Sequence, residues 1–412
     1  FPRYDLDVSF FRAYENGKPA QTPRYLKWSG NGAQENDLAF VSGHPGGTSR
    51  LYTTAQLRSD RDTQLPMILA NLKRRIALLK KYSATSPEAA RRATDRLFGA
   101  ENGLKVFSGQ YDALNNAKVM AKKEAEEKTF RDRARQNTVL AAEIGDPWQT
   151  IAEATKKEDA NLQALFFNDN FRRGSSLLNI AKQIVELTAE MQKPNEKRLE
   201  EYRESQLESL RFRLFSAAPI YKDTESVILT DQIAESLEKL PPDHAISKVL
   251  RSAKPAAELV AGSKLENAEF NEDEIKAVKT SAGEKIGKAR FKLDGKAVAP
   301  DATFTLRLAY GVVKGYPAHQ TMMPWKTTFY GLYERSAAFE NKQPFMLPKS
   351  WQEKRSALDL STPYNFVLTN DIIGGNSGSP VVNKAGEVIG LIFDGNIDSL
   401  GSDYFFDDET GR

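Results

Sequence analysis

Ser377 sits in an unusual connection between two strand-like stretches: Gly374, Gly375, Asn376, Ser377, Gly378, Ser379 and Pro380. Pro380, Val381 and Val382 then read as a strand. Glycines at this spacing let the backbone take positive φ values and turn its N–H groups inward. Two inward N–H groups beside a serine hydroxyl make an oxyanion hole next to a nucleophile. A Gly/Ser/Asn run is also ordinary turn chemistry. The choice between the two depends on what else the chain brings to the turn.

A serine nucleophile needs a base, and behind the base a carboxylate. The chain has three histidines. His44 lies in Ser-Gly-His-Pro-Gly-Gly, His244 follows Pro-Pro-Asp, and His319 sits in Tyr-Pro-Ala-His-Gln. None has a context that marks it as a general base. The carboxylates say more. Asp7 opens a β-like segment and has the place of a triad aspartate or of a turn residue. Asp394 follows a strand-like stretch after Ser377, where a carboxylate could hold a substrate ammonium or simply form an Asp-Gly-Asn turn. Asp371 precedes Ser377 closely, either near a specificity pocket or as a turn cap. No spacing of His, Asp or Glu suggests a metal site. No P-loop or dinucleotide fingerprint occurs, so no cofactor is expected.

The elements that must position these groups change texture twice. Residues 8–14 mix aromatic and β-branched side chains, residues 15–19 supply a turn, and residues 38–43 read as a second strand. Near residue 59 the pattern becomes helical: Leu65, Ile68, Leu69, Leu72, Ile76 and Leu79 fall on one face. Ser86 before Pro87 and Asp146 before Pro147 each pair an N-cap with proline at the first helical position. Pro194 reads as opening another helix, with Leu199, Leu207, Leu210 and Leu214 at helical spacing. Residues 122–135 alternate in charge sign, the pattern of a solvated helix face. β texture returns at 302–313, 327–331 and 365–369. A hairpin of 381–383 and 388–393 surrounds the turn at 384–387. The reading is three parts: residues 1–58, 59–285 and 286–412. The order β, helical, β is that of a helical insertion into a β architecture, an α+β chain.

The bulk numbers exclude several classes. Across 412 residues, 58 basic and 55 acidic side chains leave a net charge of +3. A nucleic-acid partner would show a clustered basic excess instead. Cysteine is absent, which removes disulfides, thiolate metal sites and a cysteine nucleophile. No apolar run approaches the length of a membrane span. The chain opens at Phe1 with no Met or signal-peptide pattern, and it reads as part of something longer.

Several ordered motifs together carry a resemblance. Residues 374–383 (Gly-Gly-Asn-Ser-Gly-Ser-Pro-Val-Val-Asn) and 390–396 (Gly-Leu-Ile-Phe-Asp-Gly-Asn) resemble the C-terminal signature of the bacterial serine dipeptidyl-peptidases of the dipeptidyl-peptidase 7 and 11 type. The segment from Phe1, Pro2 and Arg3 through Asp7 to Tyr14 resembles the family's aspartate segment. Ser42, Gly43, His44, Pro45 and Gly46 resemble its Gly-His-Pro-Gly strand end, and residues 301–316 also fit. The resemblance is weakest between about 120 and 290. It implies a chymotrypsin-like double β-barrel, incomplete in this chain, with a large inserted α-helical domain that caps the cleft. It implies Ser377 as nucleophile, Asp7 as triad aspartate, and the N–H groups of Gly375 and Ser377 as oxyanion hole. Asp394 and Asn102 would hold the free N-terminus of the substrate. Gly395 stands where the branch that prefers Asp or Glu before the scissile bond has an arginine, which implies an apolar preference here. The family's catalytic histidine and an Asn-Trp pair would precede Phe1, so neither is in this chain. Tyr4, Asp5 and Leu6 replace a more usual His-Thr-Gly. The implied activity is release of dipeptides from oligopeptides by a periplasmic homodimer. The alternatives are a chymotrypsin-like endopeptidase, or a non-catalytic binding protein if the histidine is truly missing.

Overall fold

The computed structural model describes residues 1–251, 272–318 and 320–406. The chain falls into two compact units. One comprises Phe1–Tyr52, Gly109–Val119 and Ala297–Arg412; the other comprises Thr53–Ser108 and Met120–Lys296.

The first unit holds the strands. They are β1 (Tyr14–Glu15), β2 (Lys18–Pro19), β3 (Leu38–Gly43), β4 (Arg307–Val312), β5 (Tyr316–Ala318), β6 (Thr321–Met323), β7 (Lys326–Thr328), β8 (Pro363–Phe366), β9 (Pro380–Val382) and β10 (Val388–Leu391). Four of them form one antiparallel sheet in the order β10-β9-β3-β4. β3 pairs with β4 along its whole length, from Leu38 opposite Val312 to Gly43 opposite Arg307. Its alternate residues Ala39 and Val41 point inward and are fully buried. They meet Val313, Leu368, Ile372, Val381, Ile389 and Ile392 in one apolar core. This is the period-2 burial of a sheet with one packed face. Past β4 the sheet curls on: Val313 bridges Leu368, and the Val367 N–H donates to Trp325 O at 2.8 Å.

Among the described residues the strands form one four-stranded and three two-stranded sheets, and no closed barrel is seen. Two expectations are corrected here. Residues 8–13 make no strand, and Phe10 and Phe11 are 83% and 94% exposed. An apolar stretch becomes a strand only where a neighbour completes its ladder, and no described residue does so there. Only the two-residue hairpin around Asn16 and Gly17 forms, with φ of 51° and 73° at those residues, as an Asn-Gly hairpin turn requires. The stretch at 327–331 is a strand only through Thr328; Phe329–Ala338 is a helix. Its buried residues Leu332, Tyr333 and Ser336 recur at three- and four-residue spacing, a helical period.

The second unit is helical. Its described helices are α1 (Thr54–Ser59), α2 (Leu65–Ser83), α3 (Pro87–Asn115), α4 (Ala117–Gln136), α5 (Thr138–Ile144), α6 (Pro147–Gly174), α7 (Ser176–Glu190), α8 (Glu204–Leu214), α9 (Lys222–Lys239), α10 (Ala245–Arg251) and α11 (Glu272–Asp294). The caps form as the sequence implies. Ser86 Oγ accepts the Ala89 N–H at 3.0 Å, and Asp146 Oδ1 accepts the Gln149 N–H at 3.1 Å. Each satisfies an otherwise orphaned helical donor. Pro194 instead opens a short 3-10 turn, Asn195–Lys197, and Leu199 lies outside α8. The charge-alternating run lies on α4, where Lys128 pairs with Asp132 at 2.9 Å while Phe130 and Ala134 are buried. The end of α3 and the start of α4, residues 109–119, belong to the first unit, where a Cβ on Gly109 would fall 2.4 Å from Leu400 Cβ.

Candidate active site

The serine turn is knotted by one buried side chain. Asn376 Oδ1 accepts the Ile373 N–H at 3.1 Å, the Asn376 N–H donates to Ile373 O at 3.0 Å, and Asn376 O accepts the Ser379 N–H at 2.8 Å. A side chain that bonds the nearby backbone in this way fixes the shape of the turn. Gly375 and Gly378 take φ of 105° and 83°, the left-handed region. Ser377 sits between them, exposed, at the outer edge of the turn. The N–H groups of Gly375 and Ser377 donate to no acceptor among the described residues, whereas Gly378 N–H donates to Ile392 O at 2.7 Å and carries the β9–β10 ladder into the turn. An exposed hydroxyl beside two open N–H groups is an arrangement that can bind an oxyanion.

The end of β3 clamps this turn from below. The Gly46 N–H donates to Gly374 O at 2.7 Å. A Cβ on Gly375 would lie 2.5 Å from His44 O and 2.6 Å from Gly46 N. A Cβ on Gly43 would lie 2.1 Å from Ser379 Oγ. The Ser-Gly-His-Pro-Gly motif therefore meets the serine turn through its backbone. The exposed His44 ring faces Phe304, with centroids 6.1 Å apart. It makes no hydrogen bond to Ser377. His244 lies in the helical unit, where its Nδ1 accepts the Ile246 N–H at 3.3 Å and burial lowers its pKa. His319 lies outside the described residues.

Asp394 closes the segment after β10. Gly395 N–H donates to its Oδ1 at 2.8 Å, and Arg3 Nη1 donates to its Oδ2. Arg3 also reaches Asp5 Oδ2 through Nε at 2.5 Å and lies over the Phe393 ring, 5.5 Å from its centroid. Its carbonyl accepts from Thr327 Oγ1 at 2.8 Å, and Asn365 Nδ2 donates to Asp5 O at 2.9 Å. The segment from Arg3 to Asp5 is thus pinned along β7 and β8. Asp7 itself is exposed, with no partner for its carboxylate among the described residues. Gly395 has room beside it: an added Cβ would meet only Ser399 Oγ, at 3.4 Å. Asn102 is an exposed residue of α3 in the helical unit.

Asp371 lies in an ion pair at the border of a cavity. Arg50 holds it with two bonds, Nη1 to Oδ2 at 2.6 Å and Nη2 to Oδ1 at 2.8 Å. Arg50 Nε donates to Ser402 O at 2.9 Å. Asp301 accepts the N–H groups of Arg50 at 2.8 Å and Leu51 at 3.1 Å. Asp403 lies close by; burial pushes its carboxyl up to about 6, against the pull of Arg50 and with the help of Asp301. Arg50 and Asp371 border a cavity of about 640 Å³ that is also lined by Leu308, Tyr310 and Ile373. Sequence reasoning missed Arg3, Arg50 and Asp301. Arg3 at least stands in the segment that carries Asp7. Arg50 and Asp371 are 321 positions apart, and no local pattern links them.

Comparison with known proteins places this geometry. Residues 1–271 and 260–412 match the family described as Peptidase S46. The chain belongs to this peptidase family. It is 27% identical over 477 residues to dipeptidyl-peptidase 7 of Capnocytophaga gingivalis, covering the whole chain and 66% of that protein. It is 24% identical over 500 residues to an Asp/Glu-specific dipeptidyl-peptidase of Shewanella putrefaciens, covering the whole chain and 67% of that protein. The chain thus spans about two thirds of the length of these relatives. Its fold is similar to the crystal structure of Porphyromonas endodontalis DPP11 in complex with the dipeptide Arg-Glu, with a TM-score of 0.75 and 20% identity over the whole chain and 67% of that structure.

Proposed function

We propose that this chain carries the nucleophile-bearing part of a serine exopeptidase that releases dipeptides from the free N-terminus of oligopeptides. The observation that carries the reading is the turn at Ser377: an exposed hydroxyl, flanked by Gly375 and Gly378 at positive φ, beside two open N–H groups. Membership of a peptidase family whose similar members are named dipeptidyl-peptidases supports it. In this reading Ser377 attacks the scissile carbonyl, and the Gly375 and Ser377 N–H groups stabilise the oxyanion. Asp7 orients a histidine supplied by the protein outside this chain. Asp394 receives the substrate ammonium, and the count of two residues is set by its distance from the nucleophile. Glycine at position 395 itself brings no cation to pair with an acidic side chain, which supports an apolar preference before the scissile bond. A periplasmic location and a homodimeric state belong to the same proposal, and cell fractionation and light scattering test them.

The deciding experiment uses the protein at its full natural length with a fluorogenic dipeptidyl substrate. Ser377→Ala is expected to lower kcat by at least about a thousandfold while the unfolding midpoint stays put. Undiminished turnover by that variant would refute the reading.

A further inference from the structure

We infer that Arg3 is a positioning residue that occupies the substrate-ammonium anchor when the site is empty and returns to it when the dipeptide product leaves. The inference rests on the proposed role of Asp394. Three observations carry it. First, the Arg3 guanidinium donates to Asp394 Oδ2, the carboxylate assigned to the ammonium, while Gly395 N–H fixes Oδ1 at 2.8 Å. Second, Arg3 already has another carboxylate: its Nε lies 2.5 Å from Asp5 Oδ2. Third, the stem is held independently of either bond, because the Arg3 carbonyl accepts from Thr327 Oγ1 at 2.8 Å and the guanidinium lies over Phe393.

The chemistry is an exchange of cations. An arriving α-ammonium brings a second positive charge to a carboxylate that already holds a guanidinium. Like charges at that range repel. Arg3 relieves the repulsion by letting go of Asp394 and keeping Asp5, a change at its tip alone. After cleavage the dipeptide still carries the ammonium and is held by the same carboxylate. The return of Arg3 to Asp394 weakens that hold and favours release. The competing pair is partly exposed, with Arg3 and Asp394 side chains 40% and 26% accessible. A pair of that kind shifts the affinity of its competitor by about two- to fivefold.

The test is calorimetric binding of the dipeptide alanyl-phenylalanine and of its N-acetylated form to the full-length protein. Arg3→Gln is expected to tighten binding of the free dipeptide about two- to fivefold and to leave the acetylated form where it was. In turnover the change should appear as a lower KM for free N-termini. Asp5→Asn removes the alternative carboxylate and should weaken binding of the free dipeptide. Arg3→Lys should bind like the parent. A purely structural role would move the Arg3 and Asp5 variants in the same direction, so the opposite signs are the signature. If Arg3→Gln leaves free-dipeptide binding unchanged or weakens it, while Asp394→Asn still weakens the free form selectively, the exchange is wrong and the anchor stands. If Asp394→Asn affects free and acetylated dipeptides alike, the anchor itself is wrong. Should Arg3→Gln fail to fold, Asp5→Asn decides alone: unchanged or tighter binding of the free dipeptide overturns the exchange.

Discussion

Single residues in the β-bearing unit carry charges whose partners lie far away in the chain, and their energetics follow from burial. Asp403 has a folded-state pKa of about 6, raised above its ordinary 3.8 first by burial. A carboxyl raised on folding is stabilised in its neutral form. Its contribution is therefore fully present below about pH 4 and is lost as the pH climbs through 6. Asp403→Asn is expected to stabilise the protein near pH 7, by up to about 3 kcal/mol, and to flatten the pH dependence between 4 and 6. Urea unfolding across that range checks it. Gly395 makes the opposite point, because its value lies in the missing side chain. The space beside it admits a Cβ. Gly395→Arg is expected to move substrate preference toward Asp or Glu before the scissile bond, at the expense of apolar residues. Paired fluorogenic substrates measure the ratio of kcat/KM; an unchanged ratio would remove residue 395 from the specificity argument. The chemical identity of these residues was legible in the sequence. Their partners were not, since an ion pair such as Arg50 with Asp371 leaves no periodic trace.

At the scale of elements, the serine turn and the end of β3 are one construction. Gly375 is at φ 105° with backbone atoms of His44 and Gly46 within 2.6 Å of where a Cβ would stand. Those atoms belong to main chain and cannot swing aside. Gly375→Ala is expected to cost roughly 1–3 kcal/mol of stability and to abolish activity, because the oxyanion N–H would be displaced. Gly374→Ala, where a Cβ meets nothing within 4 Å, is the control and should keep its unfolding midpoint. Chemical denaturation and turnover of the two variants provide the comparison. The hairpin of β9 and β10, the strand at 38–43 and the caps at Ser86 and Asp146 were all readable from pattern. They depend on local periodicity and on side chains that bond their own backbone. The stretch at 8–13 was misread because alternation alone cannot supply a neighbouring strand. The stretch at 327–331 was misread beyond Thr328 because a short apolar run fits strand and helix equally.

For the whole molecule, the chain order matters. The β-bearing unit is assembled from three separate segments, and the helical unit from two. In the helical unit too a core joins remote segments, with Phe130, Trp148 and Ile151 packed against Ala282, Ile286 and Ala289. Both units therefore close long loops before their cores form, which slows folding. The described residues hold no helix long and apolar enough to cross a membrane.

The sequence by itself determined the α+β order, the helix starts at Ser86 and Asp146, the glycine-flanked serine turn and, through its ordered motifs, the peptidase family. These are encoded in residue types at short spacing, where backbone sterics and hydrophobic period act directly. Only the tertiary structure decided that the strands curl into an open sheet, and that His44 meets the turn through its backbone. It alone paired Asp371 with Arg50 and placed Arg3 on Asp394. Each of those is a contact between segments remote in the chain. Such contacts are selected by how the whole core packs, not by any signal within the segments themselves.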